Sequence, residues 1–83
     1  MTREIEVSLF ARARDLAGTD RVILSLSDSA NVGDLRMALG EKHPGLRPFL
    51  SSLLIALGTD YANDATPLAG HQTAACFPPV SGG

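Results

Sequence analysis

The sequence has 83 residues, of which 45% are apolar and 19% charged, and its net charge is −2. A chain of this length folds around one small core and leaves little room for an internal active site lined by several catalytic side chains. Its six arginines and one lysine form no basic block, which argues against a nucleic-acid partner. Its single cysteine excludes an internal disulfide, and it has no run of about 18 apolar residues that would cross a membrane. We therefore expect a cytoplasmic protein that binds no membrane.

The first two strands are predicted from alternating polarity. Residues 4–11 place their three aliphatic side chains on one side of a strand, and this leaves Phe10 on the opposite side. The polar stretch 12–18 predicts a turn or a single helical turn. Residues 20–26 repeat the alternation, so the two strands should form a hairpin.

A helix of about 11 residues is predicted to begin after Asn31, whose side chain can cap the exposed N–H groups of the first turn. An apolar face at helical spacing supports this prediction. The helix should end before Pro44, because the residue before a proline disfavours the helical conformation. We interpret residues 46–52 as a loop or short turn, with Phe49 and Leu50 packed under the helix.

Three more strands are predicted in the remaining sequence: a buried strand over 53–57, a very short edge strand at 61–62 and a final strand over 73–77. The order is β-β-α-β-β-β, an α+β arrangement with one main helix across one face of a mixed sheet. The first and last strands should pair in parallel at its centre. This is the layout of the β-grasp, ubiquitin-like fold. We expect a domain over 1–77 and a protruding tail over 78–83.

The tail has an unusual composition. Its two prolines hold the backbone extended and lack N–H donors, and its final two glycines have no Cβ. The terminal carboxylate of Gly83 can therefore enter a narrow channel in another protein and react there. The residues that should pass through such a channel are Pro78, Pro79, Val80, Ser81 and Gly82.

Three segments resemble the small subunits of molybdopterin synthase: the Phe-Pro-Pro-Val-Ser-Gly-Gly ending, Phe10-Ala11 followed by Arg14-Asp15-Leu16-Ala17-Gly18, and the turn Thr66-Pro67-Leu68-Ala69-Gly70. These proteins belong to the β-grasp sulfur carriers, which also include the thiamine-pathway carrier. The resemblance implies that a ubiquitin-activating-type enzyme uses ATP to adenylate the Gly83 carboxylate. A sulfur-donor protein would then convert it to a thiocarboxylate. The carrier would dock on the synthase large subunit, in a heterotetramer, and donate sulfur to a cyclic pyranopterin precursor.

The resemblance also implies a docking face. Exposed aromatic side chains that cluster mark protein interfaces, and three of the four aromatic residues lie on or beside predicted strands. The family places its large-subunit contact on this sheet face and at the tail root. The interface candidates are therefore Phe10, Tyr61 and Phe77, with Arg14 as a contact at the rim.

No bound cofactor or metal is expected, because the chemistry needs only the terminal carboxylate and side chains supplied by partners. His43 and His71 lie far apart in the sequence, and the single Cys76 in an apolar strand is typical of a core residue.

Two other functions remain open. One is a carrier with the same chemistry but another acceptor, such as thiamine thiazole, and the other is a ubiquitin-like conjugation or interaction module. The chain departs from the family at Gly58, where asparagine is common, and at Gly70-His71-Gln72, where an acidic Gly-Asp-Glu turn is common.

Overall fold

A five-stranded mixed sheet forms the centre of the computed structural model, which describes residues 1–79. Its strands are β1 (Thr2–Leu9), β2 (Arg21–Ser27), β3 (Leu54–Leu57), β4 (Asp60–Ala62) and β5 (Thr73–Phe77). The helices are α1 (Arg12–Ala17), α2 (Val32–Lys42) and a 3₁₀ helix (Pro44–Ser52). None of these helices, within residues 1–79, is long and apolar enough to span a membrane.

The strand order is β2-β1-β5-β3-β4. β1 pairs in parallel with β5, whereas the β1–β2, β3–β4 and β3–β5 pairs are antiparallel. The predicted hairpin and the central parallel pair are therefore confirmed. The α+β prediction is also confirmed, and the fold is the β-grasp.

The core lies between one face of the sheet and α2. Strand alternation sends Ile5, Val7 and Leu9 into it, with at most 2% of each residue exposed, and α2 contributes the fully buried Leu35 and Leu39. Burying these aliphatic side chains is the main favourable contribution to folding.

The start of α2 is fixed by a reciprocal pair of hydrogen bonds, as the sequence predicts. The Asp34 N–H donates to the Asn31 side-chain oxygen at 2.9 Å, and the Asn31 N–H donates to the Asp34 carboxylate at 3.0 Å. This capping box satisfies two N–H groups that have no partner inside the helix. The helix ends at Lys42, directly before His43 and the proline.

The prediction of a loop or short turn over 46–52 is wrong, because these residues belong to the nine-residue 3₁₀ helix. The segment is held by tertiary contacts: Leu46 is fully buried, and the Arg36 guanidinium on α2 donates hydrogen bonds to the Leu50 carbonyl and, at 2.7 Å, to the Leu53 carbonyl. Leu50 packs against the core as predicted. The Phe49 ring lies beside Arg12 of α1.

Candidate functional site

Three aromatic rings meet on the face of the sheet that α2 leaves uncovered. The Phe10 and Phe77 rings stack with centroids 4.8 Å apart and planes 8° from parallel. Tyr61 meets Phe77 edge-on, with centroids 6.2 Å apart. Phe10 is 44% and Tyr61 67% exposed, and Phe77 between them is half-buried. We call this group the aromatic cluster.

Strand register explains why these rings meet although they are distant in sequence. Phe77 lies opposite Leu54 on β3, and Tyr61 on β4 lies opposite Ala56 of the same strand. The Phe10 N–H donates to the Cys76 carbonyl at 3.1 Å, which extends the β1–β5 pairing by one residue. Neighbouring strands thus bring the three aromatic interface candidates to one corner of the sheet, with Phe10 facing outward as predicted.

A tight turn separates the aromatic cluster from α1. The Ala13 N–H donates to the Phe10 carbonyl at 3.2 Å, and Ala11 has φ 54° and ψ −128°. This positive φ is the conformation of the first central residue of a type II′ turn, a position that glycine usually occupies. The turn leaves Phe10 against Phe77 and directs Arg12 towards Phe49.

The fourth predicted interface residue, Arg14, lies on the exposed side of α1. Its Nε is 3.9 Å from the Asp15 carboxylate, and both side chains are more than half exposed. Such a surface ion pair adds little stability, so Arg14 has no evident structural role. A rim contact by Arg14 stays a prediction.

Sequence reasoning missed Arg12, whose guanidinium lies 5.8 Å from the centre of the Phe49 ring. This separation is within the range of a cation–π contact. The two residues are 37 positions apart, and no local pattern in the sequence links them.

The predicted tail begins where β5 ends, directly after Phe77. Pro78 and Pro79 belong to the described part of the chain, and both line a groove with α1 and the 3₁₀ helix. The predicted reacting group at Gly83, and the predicted channel residues Val80, Ser81 and Gly82, lie outside the described residues.

Cys76 points into the core and is fully buried, as predicted. Burial raises the pKa of its thiol from 9.0 to about 11, an effect that the positive charge of Arg36 partly offsets. The thiol is therefore protonated at neutral pH and is a poor nucleophile. Within residues 1–79, no three His, Cys, Asp or Glu side chains are grouped so that they could hold a metal ion.

Comparison with known proteins identifies the family. The model of the ThiS family matches residues 7–83, which include the whole aromatic cluster and the predicted tail. This chain belongs to the ThiS family. The recognition made from the sequence, as a member of the β-grasp sulfur carriers, is confirmed.

A curated relative of this ThiS-family chain is the molybdopterin synthase sulfur carrier subunit of Arabidopsis thaliana. The two sequences are 34% identical over 80 residues, which cover 96% of this chain and 83% of the relative.

Solved structures share the fold of this ThiS-family chain over nearly its full length. The crystal structure of SAMP1 from Haloferax volcanii superposes with a TM-score of 0.84 at 31% identity, covering 98% of this chain and all of that one. Another match is a chain in the protein-protein complex of subunits 1 and 2 of the molybdopterin-converting factor from Helicobacter pylori, with a TM-score of 0.66 at 28% identity. That match covers 98% of this chain and 100% of the other.

Proposed function

We propose that this chain is the sulfur carrier of molybdopterin synthase and that the Gly83 carboxylate carries the sulfur to a cyclic pyranopterin precursor. The full-length family match and the name of the Arabidopsis relative support this function. The observation that carries the proposal is the exposed aromatic cluster, which lies where β5 passes into the tail. A partner that binds an exposed cluster of this kind would contact the domain at the root of the tail.

The proposed chemistry needs only the main-chain carboxylate of this chain. A carboxylate is a poor electrophile, so a ubiquitin-activating-type enzyme first joins it to AMP from ATP and releases pyrophosphate. Sulfide supplied by a donor protein then attacks the carbonyl carbon of this acyl-adenylate, and AMP leaves with the bonding electron pair. The product is a thiocarboxylate, whose sulfur is a good nucleophile towards the precursor.

The proposed partner at the aromatic cluster is the large subunit of the synthase, with two copies of each subunit in a heterotetramer. The Helicobacter structure, solved as a complex of two subunits of the converting factor, supports a large-subunit partner. The stacked Phe10 and Phe77 rings offer apolar area that is already ordered, so little side-chain entropy is lost on docking. Arg14 would contact the rim of the same interface.

Intact mass measurement of the chain purified from its own cells tests the proposal. We expect a fraction whose mass has increased by the exchange of one oxygen for one sulfur, with the change confined to the peptide that contains Gly83. That fraction, mixed with the purified large subunit and the pyranopterin precursor, should lose its added sulfur to the pterin. Transfer to a thiazole precursor but not to the pterin, or an amide bond from Gly83 to lysines of other proteins, would contradict the proposal.

A further inference from the structure

A groove of about 240 Å³ lies on the side of the tail root formed by α1 and the 3₁₀ helix. We call it the tail-root groove, and the residues that matter here are Arg12, Leu16, Phe49, Leu53, Pro78 and Pro79. Pockets for small molecules usually measure roughly 300–1,000 Å³, so this groove fits one or two protein side chains better than a cofactor. Its lining is apolar apart from Arg12 and Ser52.

Arg12 brings a positive charge that no carboxylate in the described chain neutralises. The ion pairs within residues 1–79 are Arg14–Asp15, Arg21–Glu6 and Arg36–Asp64, so Arg12 takes part in none of them. Its guanidinium rests over the Phe49 ring, a contact that fixes its position and leaves its N–H donors available. A ligand of this groove should therefore combine an apolar group with a negative charge.

The tail-root groove is continuous with the face that carries the aromatic cluster. Phe77 ends β5 in that cluster, and the next two residues, Pro78 and Pro79, line the groove. The strained turn at Ala11, after β1, also links the cluster to the groove. Phe10 before this turn stacks in the cluster, and Arg12 after it lines the groove. Strained backbone outside glycine is often found at functional sites.

We propose that the tail-root groove is a second contact for the synthase large subunit. This subunit seats an aliphatic side chain between Leu16, Phe49 and Leu53 and sets a carboxylate against Arg12. The tail root at Pro78 and Pro79 is then held from two sides, by the aromatic cluster and by the groove. The inference rests on the proposed function, since it names a further part of the same docking site.

The test measures the Kd between this chain and the purified large subunit for variants of the groove. Arg12→Glu should weaken binding roughly tenfold or more, because it places two negative charges together. The matched control is Arg3→Glu, an equal change of charge at a different concave site that shares no residue with the tail-root groove. This control should bind as the wild type does. Arg12→Gln removes the charge without reversing it, so its Kd should depend less on salt concentration than that of the wild type.

A second pair of variants tests whether the open volume of the groove, rather than the charge of Arg12, is needed for binding. Ser52 is exposed and lines the groove, so Ser52→Trp should fill it and weaken binding. Ala65→Trp adds the same ring at an exposed turn outside the groove and should leave the Kd unchanged. Circular dichroism and the Tm of each variant show whether it is folded.

The outcomes separate this inference from the function on which it rests. Weaker binding by folded Arg12→Glu and Ser52→Trp, with both controls unchanged, supports the groove contact. Wild-type affinity in both groove variants, while Phe77→Ala loses binding, overturns the groove contact and leaves the proposed function standing. If the wild type itself does not bind the large subunit, both are overturned.

Discussion

On the face of the sheet that α2 covers, Ile5, Leu9 and Ile55 are at most 2% exposed, whereas on the opposite face Phe10 and Tyr61 are 44% and 67% exposed. The same strands supply both faces, since successive side chains point to opposite sides. Burial of aliphatic side chains stabilises the fold on the covered side. The large rings on the open side gain little from folding alone, and docking on a partner would bury them. Changes to the two faces should therefore have separable effects on stability and on binding.

The largest effect is expected on the covered face. Leu35→Ala removes a fully buried side chain from α2 and should lower the free energy of unfolding by about 3 kcal/mol. Urea unfolding followed by circular dichroism measures this loss. The affinity of the remaining folded fraction for the large subunit should not change. A lower affinity of fully folded Leu35→Ala for the large subunit would show that the covered face also takes part in docking.

The pH dependence of stability sharpens the contrast between the neighbours Cys76 and Phe77. The pKa of the buried thiol is about 11, against 9.0 for an ordinary cysteine. Between these pH values the unfolded chain releases the thiol proton while the folded chain keeps it, so the free energy of unfolding falls as pH rises. The wild type should lose about 2 kcal/mol more than Cys76→Ala between pH 9 and 11. Parallel pH curves for the two proteins would show that burial does not perturb this thiol.

The next effect concerns the open face. Phe77→Ala removes the central ring of the aromatic cluster and should weaken binding to the large subunit by about 2 kcal/mol, as truncation of an aromatic anchor commonly does. Met37→Ala on α2 is the control, because Met37 is also apolar and is 66% exposed. Calorimetric titration gives both affinities. Unchanged affinity of Phe77→Ala, together with a large loss of stability, would show that this ring stabilises the fold and does not bind the partner.

The smallest effect is expected at the turn that joins the open face to α1. Ala11→Gly relieves a positive φ but adds freedom to the unfolded chain, so the net gain in stability should be at most about 1 kcal/mol. The melting temperature measures it. A clear destabilisation would show that the alanine methyl group makes contacts that outweigh the strain.

Much of the fold could be predicted because its signals are local. Alternation along β1 predicts which side of the strand Phe10 takes, and the side chain of Asn31 predicts the start of α2. The composition of the tail and the family motifs point to Gly83 and to the aromatic residues of the open face.

The features that escaped prediction depend on contacts between distant residues. Pro48 and the paired serines after it are typical of a loop, yet the segment forms a 3₁₀ helix. Hydrogen bonds from Arg36 hold it in place at the carbonyl of Leu50, inside this helix, and at the carbonyl of Leu53, directly after it. Arg12 likewise meets Phe49 only after α1 and the 3₁₀ helix have packed together. Sequence periodicity carries no information about such pairs.

Adding one alanine after Gly83 tests most directly the claim that the domain supplies stability and docking while the tail end supplies the chemistry. The measurement is formation of the acyl-adenylate by the activating enzyme and ATP, for the wild-type and the extended chain at equal concentration. We predict that the extended chain forms no adduct at Gly83, although its free energy of unfolding and its affinity for the large subunit equal those of the wild type. Activation and sulfur transfer at the wild-type rate by the extended chain would contradict the assignment of Gly83.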